Sequence, residues 1–309
     1  MVQLRLDDAL VKAPHNTIKD SRTRWNYQML PIALKILHPR ANTSAINEVT
    51  RLSWRHKDLV WEMTRRDVLE RYAGQVLGGI WALLTPLLVM FVYVFAFSVL
   101  FRGRLNGEEG TLNYTAFILA GLAPWIAMSE VLARAATAVT ANANLVKQIV
   151  FPSQILPIKV ALGAIPTLLV GLAVAIITSV VSGHAYSLSL LLLPIPIVCQ
   201  VLMSTGFAFL LASVGVFVRD IKDVVAILLT MGFFLHPTIY APGVAPRALE
   251  FLFYLSPISY LIWCYRDISF YGSVTNPWIW LIMILLSGAI FALGYRVFRM
   301  LQPSFGNAL

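Results

Sequence analysis

Three guanidinium groups, Arg65, Arg66 and Arg71, stand within seven positions at the threshold of a long apolar run. Arginine forks match phosphate oxygens, so this cluster could hold the phosphate or pyrophosphate of a lipid. The same residues could instead anchor a helix at a membrane surface, stems along lipid and heads in water. The residues alone leave both readings open. Other chemistries find little support. The chain lacks G-x-x-x-x-G-K-[ST], so it is not expected to cradle nucleotide phosphates itself. Its acidic residues form no D-x-D-like constellation, and no catalytic residue is assigned. Cys199 and Cys264 lie inside apolar runs without partners at ligand spacing, so no metal site is expected.

Hydrophobic residues make up 58% of the chain and charged residues 13%, whereas about a quarter of a soluble domain is charged. An all-α integral membrane protein follows. Uncharged runs fall at 75–101, 112–129, 160–183, 186–218, 224–246 and 268–295, and each is long enough to cross, since roughly 20 helical residues suffice. Thirteen of the 24 Lys and Arg precede the first run. Most others sit in short loops that share one side: Arg134, Lys147, Lys159, Arg219, Lys222, Arg296 and Arg299. The net charge of +9 therefore reads as topology with both termini cytoplasmic, not as a nucleic-acid surface. The segment 248–265 carries Glu250 and is broken by Ser256-Pro257, which favours two short pieces that dip into the outer leaflet and return. The expected architecture is six transmembrane helices, an N-terminal amphipathic interfacial helix, and a re-entrant outer gate between helices 5 and 6.

The interfacial helix is expected over 54–76. Trp61, Val68, Leu69, Tyr72 and Val76 share one side of a 3.6-residue wheel, and Glu62, Arg66, Asp67, Glu70 and Arg71 take the other. Residues 1–53 read as a cytoplasmic, partly disordered extension without a signal sequence, 77–300 as the transmembrane domain, and 301–309 as a cytoplasmic tail. The uncharged runs hold no ion relay of the kind proton- or sodium-driven carriers use, with His184 and His236 near predicted outer ends. A transporter lacking both a relay and a nucleotide loop needs an energising partner. The segment 141–157 between the second and third runs offers it a docking surface through Leu145, Val146, Lys147, Ile149 and Phe151, although an ordinary amphipathic loop would look the same.

Five blocks then occur in order. Arg71-Tyr72 is followed by Val76-Leu77-Gly78, Trp81 and Pro86-Leu87; Gly121-Leu122-Ala123-Pro124-Trp125 by Ser129-Glu130; and Asn144-Leu145-Val146-Lys147 by Phe151-Pro152 and Leu156-Pro157. Arg219-Asp220-Ile221 and Tyr265-Arg266-Asp267 with Gly272 complete the set. Across about residues 54–300 the chain resembles the permease subunits of ABC-2 type polysaccharide exporters, which move O-antigen, capsule or teichoic-acid chains. Phe234-Leu235-His236-Pro237 and Ser256-Pro257 stand where that family commonly has a small hydroxyl residue or Asn before proline.

The resemblance implies the ABC-2 exporter fold, a homodimer in the bacterial cytoplasmic (inner) membrane, and two ABC ATP-binding subunits that bind ATP and Mg. The permease would need no cofactor. The substrate would be a glycan on a polyprenyl pyrophosphate, meeting Arg65, Arg66 and Arg71, with membrane lipid alongside. Coupling to the ATPase would run through Asn144, Leu145, Val146, Lys147, Ile149 and Phe151. Aromatic faces suit a sugar path, and Trp81, Tyr93, Tyr114, Trp125, Tyr240, Tyr254, Tyr260 and Trp263 are candidates, each of which could equally be belt or core. The alternatives are an ABC-2 exporter of another lipid or hydrophobic drug, and a membrane-embedded glycan transferase or polymerase.

Overall fold

A computed structural model of the chain describes residues 55–96, 111–147, 151–184, 188–240 and 247–309, and among these every regular element is helical. The expected extension 1–53, the loop with Arg102 and Arg104, and Ile149 lie outside the described residues. Among the described residues, five stretches are long and apolar enough to cross a membrane: Gly78–Phe95, Leu112–Ala135, Ile155–Val181, Ser189–Phe217 and Pro277–Ala308. The chain is a multi-pass membrane protein.

Helix α1, Lys57–Glu70, precedes a turn through Gly74 and Gly78, both at positive φ, and then α2, Trp81–Phe95. Helix α3 is Thr111–Ala135 and α4 is the short Ala143–Val146. The third apolar run is broken into α5, Ile155–Leu162, and α6, Ile165–Val181, because Pro166 lacks the N–H that would continue the ladder. Helix α7, Pro194–Phe217, and α8, Ile221–Leu235, follow. At 15 residues α8 spans about 22 Å, less than the roughly 30 Å hydrocarbon core, and the rest of the run 224–246 lies partly outside the described residues.

The segment 248–265 does form two short pieces, α9, Arg247–Leu255, and α10, Pro257–Arg266, separated by Ser256 in extended backbone. The final run begins later than the apolar stretch does. Residues Asp267–Tyr271 make a wide helical turn off α10, Gly272 reverses the chain at φ 67°, and α11 is Pro277–Leu301 with Asn276 capping Trp278 N. Apolarity alone could not separate Ile268–Tyr271 from the helix after it.

Two pairings build the body: α7 lies along α11, and α3 along α6. The first pair meets through glycine. A side chain at Gly294 would strike the Gly206 carbonyl, and one at Gly206 would come within 2.6 Å of the Ile290 backbone. Beside this contact Phe209 stacks edge-on against Tyr295 and Phe298 at 5.4 and 5.2 Å, and Phe298 against Phe305 at 5.2 Å. Phe305 is buried, so the expected C-terminal tail is packed through α12, Phe305–Ala308. Gln154 Nε2 donates to Gln302 Oε1 (3.0 Å), tying the start of α5 to that packed end.

Gly294→Val should cost more than about 3 kcal/mol, because backbone and not a flexible side chain occupies the space. The monodisperse peak in detergent should collapse. Gly288→Ala on the same helix meets nothing within 4 Å and should hold or gain up to about 1 kcal/mol.

Candidate functional site

Helix α1 touches the body along Val60, Thr64, Asp67 and Arg71, a spacing of four, three and four that places them on one stripe. Val60 and Thr64 are buried while Trp61 is 68% exposed. The helical wheel had put Asp67 and Arg71 on the polar side with Glu62 and Arg66; the structure turns these two inward. The wheel sorts residues only by polarity, and a charge paired with protein is as well placed as one in water.

Five ionic groups meet there. Arg71 Nη1 pairs with Glu130 Oε1 on α3, and Arg134 Nη2 with Asp67 Oδ2. Arg71 Nη2 lies 3.3 Å from Asp67 Oδ2, Lys159 Nζ of α5 3.5 Å from Asp67 Oδ1, and Arg134 Nη1 4.0 Å from Glu130 Oε1. Thr167 Oγ1 of α6 donates to the second Glu130 oxygen at 2.7 Å. Arg71 Nη2 also reaches the Gly163 carbonyl (3.3 Å), at the break between α5 and α6. A Cβ at Gly163 would stand 2.7 Å from that nitrogen and would push the guanidinium aside. Three cations face two carboxylates. The surplus shows in hydrogen bonding too: Arg71 Nε and Arg134 Nη1 are buried donors without an acceptor among the described residues.

The cluster forms the foot of a groove of about 790 Å³ between α2, α3 and α8. Arg71, Glu130 and Arg134 line the foot; Thr85, Pro86, Tyr93, Trp125, Phe233 and Phe234 line the wall. The groove is thus charged at one end and apolar, largely aromatic, along its length, the form of a site for an amphiphile with an anionic head.

Midway along α3, Trp125 stacks on His236 at 4.7 Å. His236 Nδ1 faces the Gly232 carbonyl (2.6 Å), so in the neutral ring it must carry the proton, and Nε2 then accepts from Ser256 Oγ (2.8 Å). The groove wall is thereby joined to the break between α9 and α10. Farther along, the Arg266 side chain is buried: Nε donates to Phe117 O (3.3 Å), Nη2 to Thr238 O (2.5 Å), and the cation lies 3.7 Å over the Phe117 ring. Gly121 makes room, since a Cβ there would sit 2.9 Å from Arg266 Nη2. Neighbouring Asp267 accepts from Thr275 Oγ1 (2.6 Å) and Trp280 Nε1 (2.8 Å). Consecutive charges thus pin α10 to α3 and to α11.

The sequence candidates divide accordingly. Arg71, Tyr93 and Trp125 share the groove. Arg65 and Arg66 lie on the exposed face of α1 beside a shallow depression with Glu62 and Glu70, and Arg66 Nε pairs with Glu70 Oε1 at 2.5 Å. Tyr254 and Tyr260 pack on Trp263 at 5.3 and 5.4 Å, and Tyr240 on Phe253 at 5.5 Å, a separate cluster around α9 and α10. Tyr114 donates to Ile239 O (3.1 Å). Trp81 is half-buried at the start of α2, outside the groove lining. Of the coupling candidates, Asn144 and Lys147 are exposed and Leu145 is partly so, whereas Val146 and Phe151 pack against the core beneath. Sequence reading missed Asp67, Glu130, Arg134, Lys159 and Thr167 as one site. The available signal was Lys159, a lone cation flanked by apolar residues from Ile155 to Ala161, which demands a partner.

Asp67→Asn removes the carboxylate shared by Arg71, Arg134 and Lys159. The expected loss is about 1–3 kcal/mol, below the cost for a wholly buried pair because water still reaches the cluster. A thermal melt of the purified protein checks this, with Asp58→Asn on the exposed start of α1 as the neutral comparison.

The ABC-2 type transporter family matches residues 58–270, which takes in α1, the ionic cluster, the groove and α10. Among curated proteins, an O-antigen export system permease protein RfbA of Klebsiella pneumoniae is 26% identical over 254 residues, 82% of this chain and 95% of that protein. A protein of the same name from Myxococcus xanthus is 28% identical over 187 residues, 60% of this chain and 70% of its own length. The family match spans well over half of the chain, and with its apolar crossings and continuous helical body this chain belongs to the ABC-2 type transporter family.

Proposed function

We propose that the chain is the transmembrane permease subunit of an ATP-driven exporter that carries polyprenyl-pyrophosphate-linked polysaccharide, of O-antigen or capsule type, across the bacterial cytoplasmic membrane. The groove carries this reading: a cationic foot beside α1 leads into an aromatic wall, matching a substrate with a phosphate head, an apolar tail and sugar rings. The names of the relatives in Klebsiella and Myxococcus point the same way.

In this reading α1 lies at the cytoplasmic surface, with Trp61 and Leu69 toward lipid and Arg65 and Arg66 toward headgroups. Arg71 faces the groove. The five long stretches and α8 make six crossings, and α9 with α10 form the re-entrant outer gate, held by Arg266 and Asp267. Tyr240, Tyr254, Tyr260 and Trp263 would meet sugar there. The permease holds neither ATP nor Mg and hydrolyses nothing. Two ATP-binding subunits dock beneath a pair of permeases, on the surface that Asn144, Leu145 and Lys147 present. Val146 and Phe151 root that surface in the core cluster of α5 and α7, so a push from below is transmitted into the crossings.

Leu145→Asp or Lys147→Glu should abolish surface polysaccharide and stimulation of the partner ATPase, while the permease still inserts. Immunoblotting of surface glycan and of membrane-bound permease reads both, and normal glycan display would overturn the docking assignment. Phe151→Asp is a poorer probe, because its ring is packed. A hydrophobic-drug exporter would instead leave glycan untouched and change drug tolerance. Orientation has its own check. Met300→Cys should react with an impermeant maleimide only from the cytoplasmic side, native Cys199 and Cys264 being buried.

A further inference from the structure

We infer that the foot of the groove is a phosphate site with a built-in competitor: the headgroup of an amphiphile takes Arg71 and Arg134 from Glu130, and this exchange loosens α1 from α3. The inference depends on the export reading for its physiological ligand and on the geometry for its chemistry.

Glu130 spans the two arginines. One oxygen pairs with Arg71 Nη1 and stands 4.0 Å from Arg134 Nη1; the other is held by Thr167. A carboxylate so placed contributes one oxygen to two guanidinium groups, which still have Arg71 Nε and Arg134 Nη1 without acceptors. A phosphate has more oxygens and more charge, and it can engage both forks. Once displaced, Glu130 keeps its Thr167 hydroxyl, so the exchange leaves no carboxylate wholly unbonded. Asp67 stays between Arg134 and Lys159, so the cluster is not dismantled. The three cations and two carboxylates carry a net single positive charge, which favours an anionic headgroup. The groove wall selects the source, since Tyr93, Trp125 and Phe233 would cover an apolar chain that a free ion lacks.

The exchange has a mechanical consequence. Arg71–Glu130 is an ion pair that joins the end of α1 to α3 directly. When the phosphate replaces it, α1 is held through Asp67 and the buried Val60 and Thr64, and the turn after it is freer to move.

The test uses the full chain in phosphatidylcholine nanodiscs with three probes: farnesyl pyrophosphate, inorganic pyrophosphate and farnesol. Farnesyl pyrophosphate should bind and change the tryptophan fluorescence, and the two halves should bind at least about tenfold more weakly. Glu130→Gln, which removes the competitor, should tighten farnesyl pyrophosphate about threefold or more, and Arg134→Gln should weaken it about tenfold. Arg55→Gln, an exposed cation outside the cluster, should leave affinity unchanged. Equal or weaker binding by Glu130→Gln overturns the competition, and equal binding of inorganic pyrophosphate overturns the amphiphile. If Glu130→Gln does not fold, hydrogen exchange in the wild-type protein decides: amides of 57–70 should exchange faster with farnesyl pyrophosphate, and slower or equal exchange refutes the loosening. None of these measurements reads glycan export. Binding that follows Glu130 and Arg134 in a protein whose loss leaves surface glycan intact would sink the export reading and spare this one.

Discussion

Everything at the charged end of this molecule depends on Asp67, Arg71, Glu130, Arg134 and Lys159 being satisfied by one another. Each is partly withdrawn from water, and an ionised group loses stability on leaving water unless partners and hydrogen bonds replace the hydration. The partners come from α1, α3 and α5, with Thr167 and the Gly163 carbonyl from α6 and the break before it. The cluster therefore fixes where α1 lies against the crossings. It also reaches the break between α5 and α6, where Arg71 bonds the Gly163 carbonyl. A surface ion pair such as Arg66–Glu70 has no such authority, being screened on all sides.

The opposite end of α3 uses charge differently. Arg266 has carbonyl oxygens and an aromatic face as partners, and Asp267 has a hydroxyl and an indole N–H, so neither charge depends on the other. Two short helices too small to be stable alone are thereby fastened to two long ones. Between the ends, Trp125 lines the groove and stacks on His236, which bonds Ser256 at the break between those short helices. One helix thus contacts both the charged foot and the pinned segment. That is the arrangement a transporter needs if events at one surface are to be felt at the other.

Much of the architecture was readable from apolarity. The all-helical class, the five long apolar stretches and the break at Ser256-Pro257 follow from run length and proline chemistry, which are local. The ends of elements were less readable. The last crossing starts at Pro277 and not at Ile268, because the intervening turn is as apolar as the helix it precedes. The packed end at Phe305 was also hidden: a single phenylalanine after a charged stretch looks like a tail until its ring is seen against Phe298.

The candidate site was half legible. Arg71 stood out by its place before an apolar run, and Tyr93 and Trp125 by residue type; the Asp67, Glu130, Arg134 and Lys159 that complete the site are 92 positions apart at their extremes, the first reading as a solvated helix face and the others as ordinary loop charges. The sequence by itself determined that this chain crosses a membrane repeatedly and that a charged, amphipathic helix precedes the first crossing. Only the tertiary structure decided which cations are engaged and by what. Hydrophobicity is a property each residue carries alone and repeats along the chain, whereas an ion pair exists only when two remote residues are brought within a few ångströms of one another.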